Sequence, residues 1–200
     1  MKISLPIFFF LSFLAAFPGF AQTYYNESGK RILQDDYEDK ILNGPYFGVP
    51  GEKEGVMKLV NRMPTGLVDA KLIYQKLGLE DEFRAGKPLI VIYYPGKDEC
   101  NSSGLGNMPE NLRKNVKAVA RYAEKHKAVS PLYIYKNPHG LEKYQGIQQW
   151  EEDPDGIFEN KFFPFHYPCG SFVVISPKGK YRAILGDYPI SQIDVALKKL

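Results

Sequence analysis

The sequence predicts an α/β fold, a mixed sheet flanked by helices and preceded by an N-terminal extension. Three observations carry this. The run LIVIYY at 89–94 is unbroken, apolar and β-rich, the pattern of a strand buried on both faces. Leu112, Val116, Val119 and Ala123 then recur at helical spacing, ahead of a second strand-like run from Leu132 to Tyr135. Such a strand, helix, strand unit makes a parallel pair with a right-handed crossover. Lastly, Ser171 to Ile175 and Tyr181 to Leu185 flank a Pro177–Gly179 turn as a hairpin, and Ile193, Ala196, Leu197 and Leu200 mark a closing helix. The sum is a four-stranded mixed sheet over residues 86–200.

In chain order, the first 21 residues form a leader. Met1 and Lys2 precede an apolar run from Leu5 to Phe17, broken only by Pro6 and Ser12, and small residues stand at Gly19 and Ala21. This predicts a secretory signal peptide cleaved after Ala21 and an exported, periplasmic or extracellular product. The run is shorter than the roughly 20 residues a bilayer span needs. The other reading is an uncleaved anchor.

Residues 22–85 read as an extension of short helices and a hairpin. Tyr24 to Lys30 is an extended piece ending in a turn, and Gln34 to Leu42 is a helix stopped by Asn43, Gly44 and Pro45. Tyr46 to Val49 and Val56 to Asn61 pair across the intervening loop. Val68, Leu72, Ile73 and Leu77 share one face of a helix ended by Gly78, and Glu80 to Gly86 is a polar connector. Further on, Asn107, Pro109 and Glu110 open the long helix, which stops before Pro131. Residues 137–170 are irregular, with a short helix around Leu141 to Trp150. Ser191 and Asp194 have the spacing of a capping pair for the last helix.

Composition narrows the function. With 44% hydrophobic and 24% charged residues the chain is globular rather than disordered, and a net charge of +3 with interspersed signs argues against nucleic acid. Two cysteines and three histidines at scattered positions supply no zinc spacing, and no motif for a metal or organic cofactor is present. Asn26 and Asn101 each begin a glycosylation sequon, relevant only in a glycosylating host. His126 ends a helix, where it complements the dipole, and His139 lies in a turn without an evident partner.

The chemistry centres on VIYYPGKDECNSSG, residues 91–104, where the buried strand breaks at Pro95 and Gly96 and reaches Cys100. The second cysteine, Cys169, follows the aromatic stretch that runs from Phe158 to Tyr167. In an oxidising compartment an isolated pair bridges where the fold brings it together. The sequence leaves a structural bridge, a redox-active bridge and two free thiols open. His166, three residues before Cys169, is a candidate to protonate a leaving thiolate, or else one more polar tip in an aromatic loop. The aromatic stretch is read as local core, any exposed part being a docking surface for a protein partner.

Three segments together resemble the thioredoxin-like superfamily in its extracytoplasmic thioredoxin-like and peroxiredoxin-like branches. AGKPLIVIYYPG resembles the strand before the active site, GSFVVISPKGKYRAILGDY the hairpin after the cis-proline loop, and ISQIDVALKKL the closing helix. The departures bear on activity. The family's C-x-x-C is here Cys100 to Ser103, so the local resolving thiol is missing. The helix starts downstream of Cys100, and Asp98 and Glu99 disfavour a thiolate beside it. Lys97 stands where peroxiredoxins carry a threonine, and Arg182 lies on the wrong side of the turn, which argues against a peroxidase. Pro168 is the only candidate for the family's loop proline. Otherwise Gly170 or Ser171 replaces it, or the loop carries a small insertion. The resemblance also implies that the loop holding Cys169 packs against Cys100. Two functions follow from it. One is a thiol–disulfide oxidoreductase in which Cys100 attacks, Cys169 resolves and His166 assists. The other is a non-catalytic binding module stapled by a structural Cys100–Cys169 disulfide.

Overall fold

The computed structural model describes residues 22–102, 104, 106 and 108–200. The leader at 1–21, and Asn107 as a helix cap, lie outside the described residues. The main sheet has six strands. Its centre is β6 (Leu89–Tyr94), β7 (Leu132–Tyr135), β9 (Ser171–Ile175) and β10 (Lys180–Ile184), extended at the edges by β5 (Thr65–Leu67) and β8 (Glu151–Glu152), in the order β5-β10-β9-β6-β7-β8. β6 and β7 run parallel, while β9 is antiparallel to both β6 and β10. Numbered within the predicted domain, the four central strands stand in the order 2-1-3-4, with one parallel pair and one hairpin. That arrangement is thioredoxin-like, as the sequence led us to expect. Both edge strands are additions the sequence did not announce, being two or three residues long.

Each face of the sheet is covered. Every residue of β9 is buried, and so are five of the six in β6. On one face Ile90, Phe172 and Val174 pack against α5 (Pro109–Lys125) through Val119 and Ala123. They also meet α7 (Ser191–Lys198) through Ile193, Ala196 and Leu197. These are the predicted helix faces. On the other face Leu89, Val91, Val173 and Ile175 meet α2 (Ala70–Lys76) and α6 (Ile157–Phe162). The predicted face of α2 is corrected: Ile73 is buried with Ala70 and Tyr74, but Leu72 is 39% exposed. Asp69 accepts from Leu72 N at 3.0 Å and so starts the helix too late for Val68 to set its phase.

Phe158, Phe162, Phe163 and Tyr167, from the aromatic stretch read above as local core, are buried in the core. Phe163 stacks on Tyr93 at 4.4 Å between ring centroids. Phe165 is half-buried, and of these five rings it is the one a partner could reach. Asp153 organises the segment, accepting from Phe158 N at 3.0 Å and Glu159 N at 2.8 Å.

The extension forms its own four-stranded sheet of β1 (Thr23–Tyr25), β2 (Arg31–Ile32), β3 (Tyr46–Pro50) and β4 (Val56–Asn61), with α1 (Gln34–Asn43) beside it. The expected β3–β4 hairpin is present. The polar connector proves to be a helix, α3 (Glu80–Arg84). The chain enters the main core before residue 86, since β5 pairs with β10 and α2 joins the core. Arg62 ties the two sheets: its guanidinium lies 4.4 Å from the Phe47 ring centre and donates to Asp187 O at 2.7 Å. No described helix is long and apolar enough to cross a membrane.

Candidate functional site: a bridged cysteine pair in a polar clamp

Strand register places the site. Tyr93 pairs with Ser171, so the chain leaves β6 and enters β9 at the same end of the sheet. Gly96 turns the chain there with φ +129, in a region side-chain-bearing residues rarely adopt. A one-turn helix, α4 (Glu99–Ser102), follows and carries Cys100. The long helix itself begins downstream of Cys100, at Pro109, as expected, and α4 is a separate short turn ahead of it. The turn is held by reciprocal bonds: Asp98 Oδ1 accepts from Asn101 N at 2.6 Å, and Asn101 Oδ1 accepts from Asp98 N at 3.1 Å.

Cys100 and Cys169 are disulfide-bonded across a sequence separation of 69, with Cα atoms 4.9 Å apart, inside the usual range for a bridge. Cys169 has φ +69, and Gly170 N donates to Pro168 O at 2.9 Å across it. Cys169 is therefore the apex of a left-handed γ-turn, a rare and strained shape. There is no cis peptide bond among the described residues. Two side chains grip the Cys169 backbone. Cys169 N donates to Asp98 Oδ2 at 2.9 Å, and Asn101 Nδ2 donates to Cys169 O at 3.1 Å and to Gly96 O at 2.8 Å. Asp98 and Asn101 thus act on Cys169 as a neighbouring strand would, satisfying both its N–H and its C=O.

The surroundings extend the clamp. His166 Nε2 lies 3.1 Å from Asp98 Oδ2, with the ring about half exposed, so the sequence-named histidine reaches the site through Asp98. Lys143 Nζ donates to Asn101 O, and burial pushes this ammonium below the usual lysine range. Tyr94 Oη donates to His139 O at 2.9 Å, fixing the neighbouring turn, and His139 N donates to Asn137 Oδ1. His126, by contrast, is remote and pairs with Asp194 at 2.7 Å. Cys100 is exposed and Cys169 half-buried.

Sequence reading had both cysteines and His166 but missed Asp98 and Asn101 as the clamp. The available signal was the spacing Asp98-x-x-Asn101, a capping pair immediately around Cys100. The reading of Asn101 as a glycosylation acceptor is corrected: the residue is 7% exposed and its amide is committed to two carbonyls. No group of three or more His, Cys, Asp or Glu positioned to hold a metal occurs among the described residues.

No family profile and no curated protein matches the chain. Among solved structures it is similar to MTB DsbF in mixed oxidized and reduced forms, at 13% identity over 57% of this chain and 81% of that one, with a TM-score of 0.36. A secreted Mycobacterium tuberculosis disulfide oxidoreductase homologous to E. coli DsbE gives 10%, 57%, 83% and 0.36 in the same order. The reduced N-terminal domain of PilB from N. meningitidis gives 13%, 56%, 79% and 0.37. The fold assignment rests on strand order and direction rather than on these likenesses. Those features define a thioredoxin-like fold with a disulfide joining the loop after its first core strand to the loop before its third.

Proposed function

We propose that this protein is an exported thiol–disulfide oxidoreductase working through the Cys100–Cys169 pair. The observation that carries the reading is the clamp: Asp98 and Asn101 hold the Cys169 backbone by contacts that do not involve sulfur. Opening the bridge therefore leaves the two thiols facing each other, which a reversible couple requires. In reduction of a client disulfide, the exposed Cys100 thiolate attacks one client sulfur and expels the other as a thiolate. Cys169, as thiolate, then attacks Cys100 Sγ, expels the second client thiolate and restores the bridge, two electrons passing to the client. His166, which contacts Asp98 at 3.1 Å, would relay a proton to a departing thiolate. The leader-like N-terminus supports an oxidising compartment, where such a bridge persists.

The test uses the chain from Gln22 onward, purified without reductant. The bridge is titrated in glutathione buffers, and exchange with a model disulfide is followed. A potential within the glutathione range, exchange lost in Cys100→Ser, and a trapped mixed disulfide in Cys169→Ser are the expected results. A bridge that stays closed until the protein unfolds, with a potential below about −300 mV, would instead identify a staple. The chain would then be a binding module, its bridge worth about 4 kcal/mol in the loop-entropy account.

A further inference from the structure

β5 lies at one edge of the main sheet, with no strand beyond it among the described residues. Its ladder with β10 fixes which way its backbone points. Val68 N donates to Gly179 O at 2.9 Å, Ala183 N to Pro64 O at 3.0 Å and Leu185 N to Arg62 O at 2.8 Å, all in register with the Gly66–Tyr181 pair. Residues 62, 64, 66 and 68 therefore face β10. The N–H and C=O of Thr65 and Leu67, and the C=O of Met63, face the open edge. Met63 N is already bonded to Asn61 Oδ1 at 2.8 Å. Pro64 does not block this edge, because the N–H it lacks would point to β10.

Proteins commonly guard such an edge with charge, because its unpaired groups are a template for another strand. The opposite edge is guarded: β8 consists of Glu151 and Glu152. β5 is Thr65, Gly66 and Leu67, all exposed and none charged. Met63 is 49% exposed and Leu67 75%, and with Thr65 they alternate with the half-buried Arg62, Pro64 and Val68. The two exposed apolar side chains thus stand two positions either side of Thr65. That spacing is self-complementary. If the strand pairs antiparallel with its own copy about Thr65, each Leu67 meets the second copy's Met63, and the threonines meet each other. All three are cross-strand pairs of a favourable kind. The same register gives two bonds between the Thr65 backbones and two from Leu67 N to Met63 O.

We propose that β5 pairs antiparallel with β5 of a second copy about a two-fold axis at Thr65, joining the two main sheets into one. The proposal does not depend on the bridge being redox-active. One short strand per copy is far less than the roughly 20–30 residues a side of a standard interface, so the dimer is weak and depends on concentration. The chain from Gln22 is followed by sedimentation equilibrium over a rising concentration series. A reversible monomer–dimer equilibrium is expected. Leu67→Lys and Met63→Glu, both at exposed positions, should each weaken it by about tenfold or more. An equal mixture of the two variants should dimerise more tightly than either alone. In that mixed pair the introduced lysine faces the introduced glutamate, and the other contact remains Met63 with Leu67. A parent chain still monomeric at about 1 mM would overturn the proposal, however the variants fold. So would a dimer that both substitutions leave intact, or a mixture no tighter than its components.

Discussion

Replacing Asn101 by alanine separates the clamp from the S–S bond. In the oxidised protein its amide donates to Gly96 O and Cys169 O, and its oxygen accepts from Asp98 N. Truncation strips three groups of partners at roughly 1 kcal/mol each, so the oxidised fold should lose about 2–4 kcal/mol. The bond to Cys169 O sets the two redox forms apart. With the bridge closed, that carbonyl stays where its partner was. With the bridge open, the loop can swing out and hydrate it. The reduced form should therefore lose about 1 kcal/mol less. For a two-electron couple 1.4 kcal/mol is about 30 mV, so the bridge potential should rise by roughly 20 mV. Urea unfolding of both forms gives the two losses, and glutathione titration gives the potential independently. Equal losses with an unchanged potential, or a downward shift, would refute the view that the clamp keeps Cys169 opposite Cys100.

Three further outcomes follow from the geometry. Cys169→Gly and Cys169→Ser both lose the bridge, but glycine accepts φ +69 without strain, so it should be more stable than serine by about 1 kcal/mol in urea unfolding. Hydrogen bonds from Lys198, His126 and Lys125 hold the Asp194 carboxyl well below the usual range. Its stabilisation is therefore full above the unfolded value near 3.9 and is lost as pH falls through the depressed one. Asp194→Asn should lower the urea midpoint at pH 7, with the gap to the parent protein closing below about pH 4. Asp153→Ala removes the acceptor for Phe158 N and Glu159 N at the start of α6 and should cost about 1–2 kcal/mol, read from the thermal midpoint by circular dichroism.

The parts of the fold legible in the sequence are those whose pattern is set by burial. β6 and β9, apart from Ser171, are runs of apolar and aromatic residues because both faces are covered, and α5 shows its period because one face is wet. Short edge strands carry no such pattern: β5 is fully exposed, and β8 is two glutamates held by β7. Ser191 and Asp194 were misread as a cap for a related reason. Local spacing suggested the pair, but Asp194 is claimed by Lys125 at the end of α5 and by His126 just after it, partners distant in sequence. At the site, both cysteines could be named because their residue type is rare. Asp98 looked only like a charge near a thiol, since its contacts to Cys169 and His166 arise from strand register.

That register also explains how the pair meets without C-x-x-C. A local resolving thiol on the same turn needs only helical geometry. A resolving thiol from the loop before β9 needs that loop fixed against the turn, and the sheet ladder stops at Ser171, two residues short of Cys169. Asp98 and Asn101 continue the ladder with side chains, one accepting from Cys169 N and the other donating to its carbonyl. The choice of a carboxylate has a consequence of its own. Its charge lies beside the cysteines and repels a thiolate, so it penalises the ionised reduced pair and leaves the bridged form untouched. On the proposed function, Asp98 would both position Cys169 and bias the couple toward closure, favouring the giving of electrons to a client over taking them.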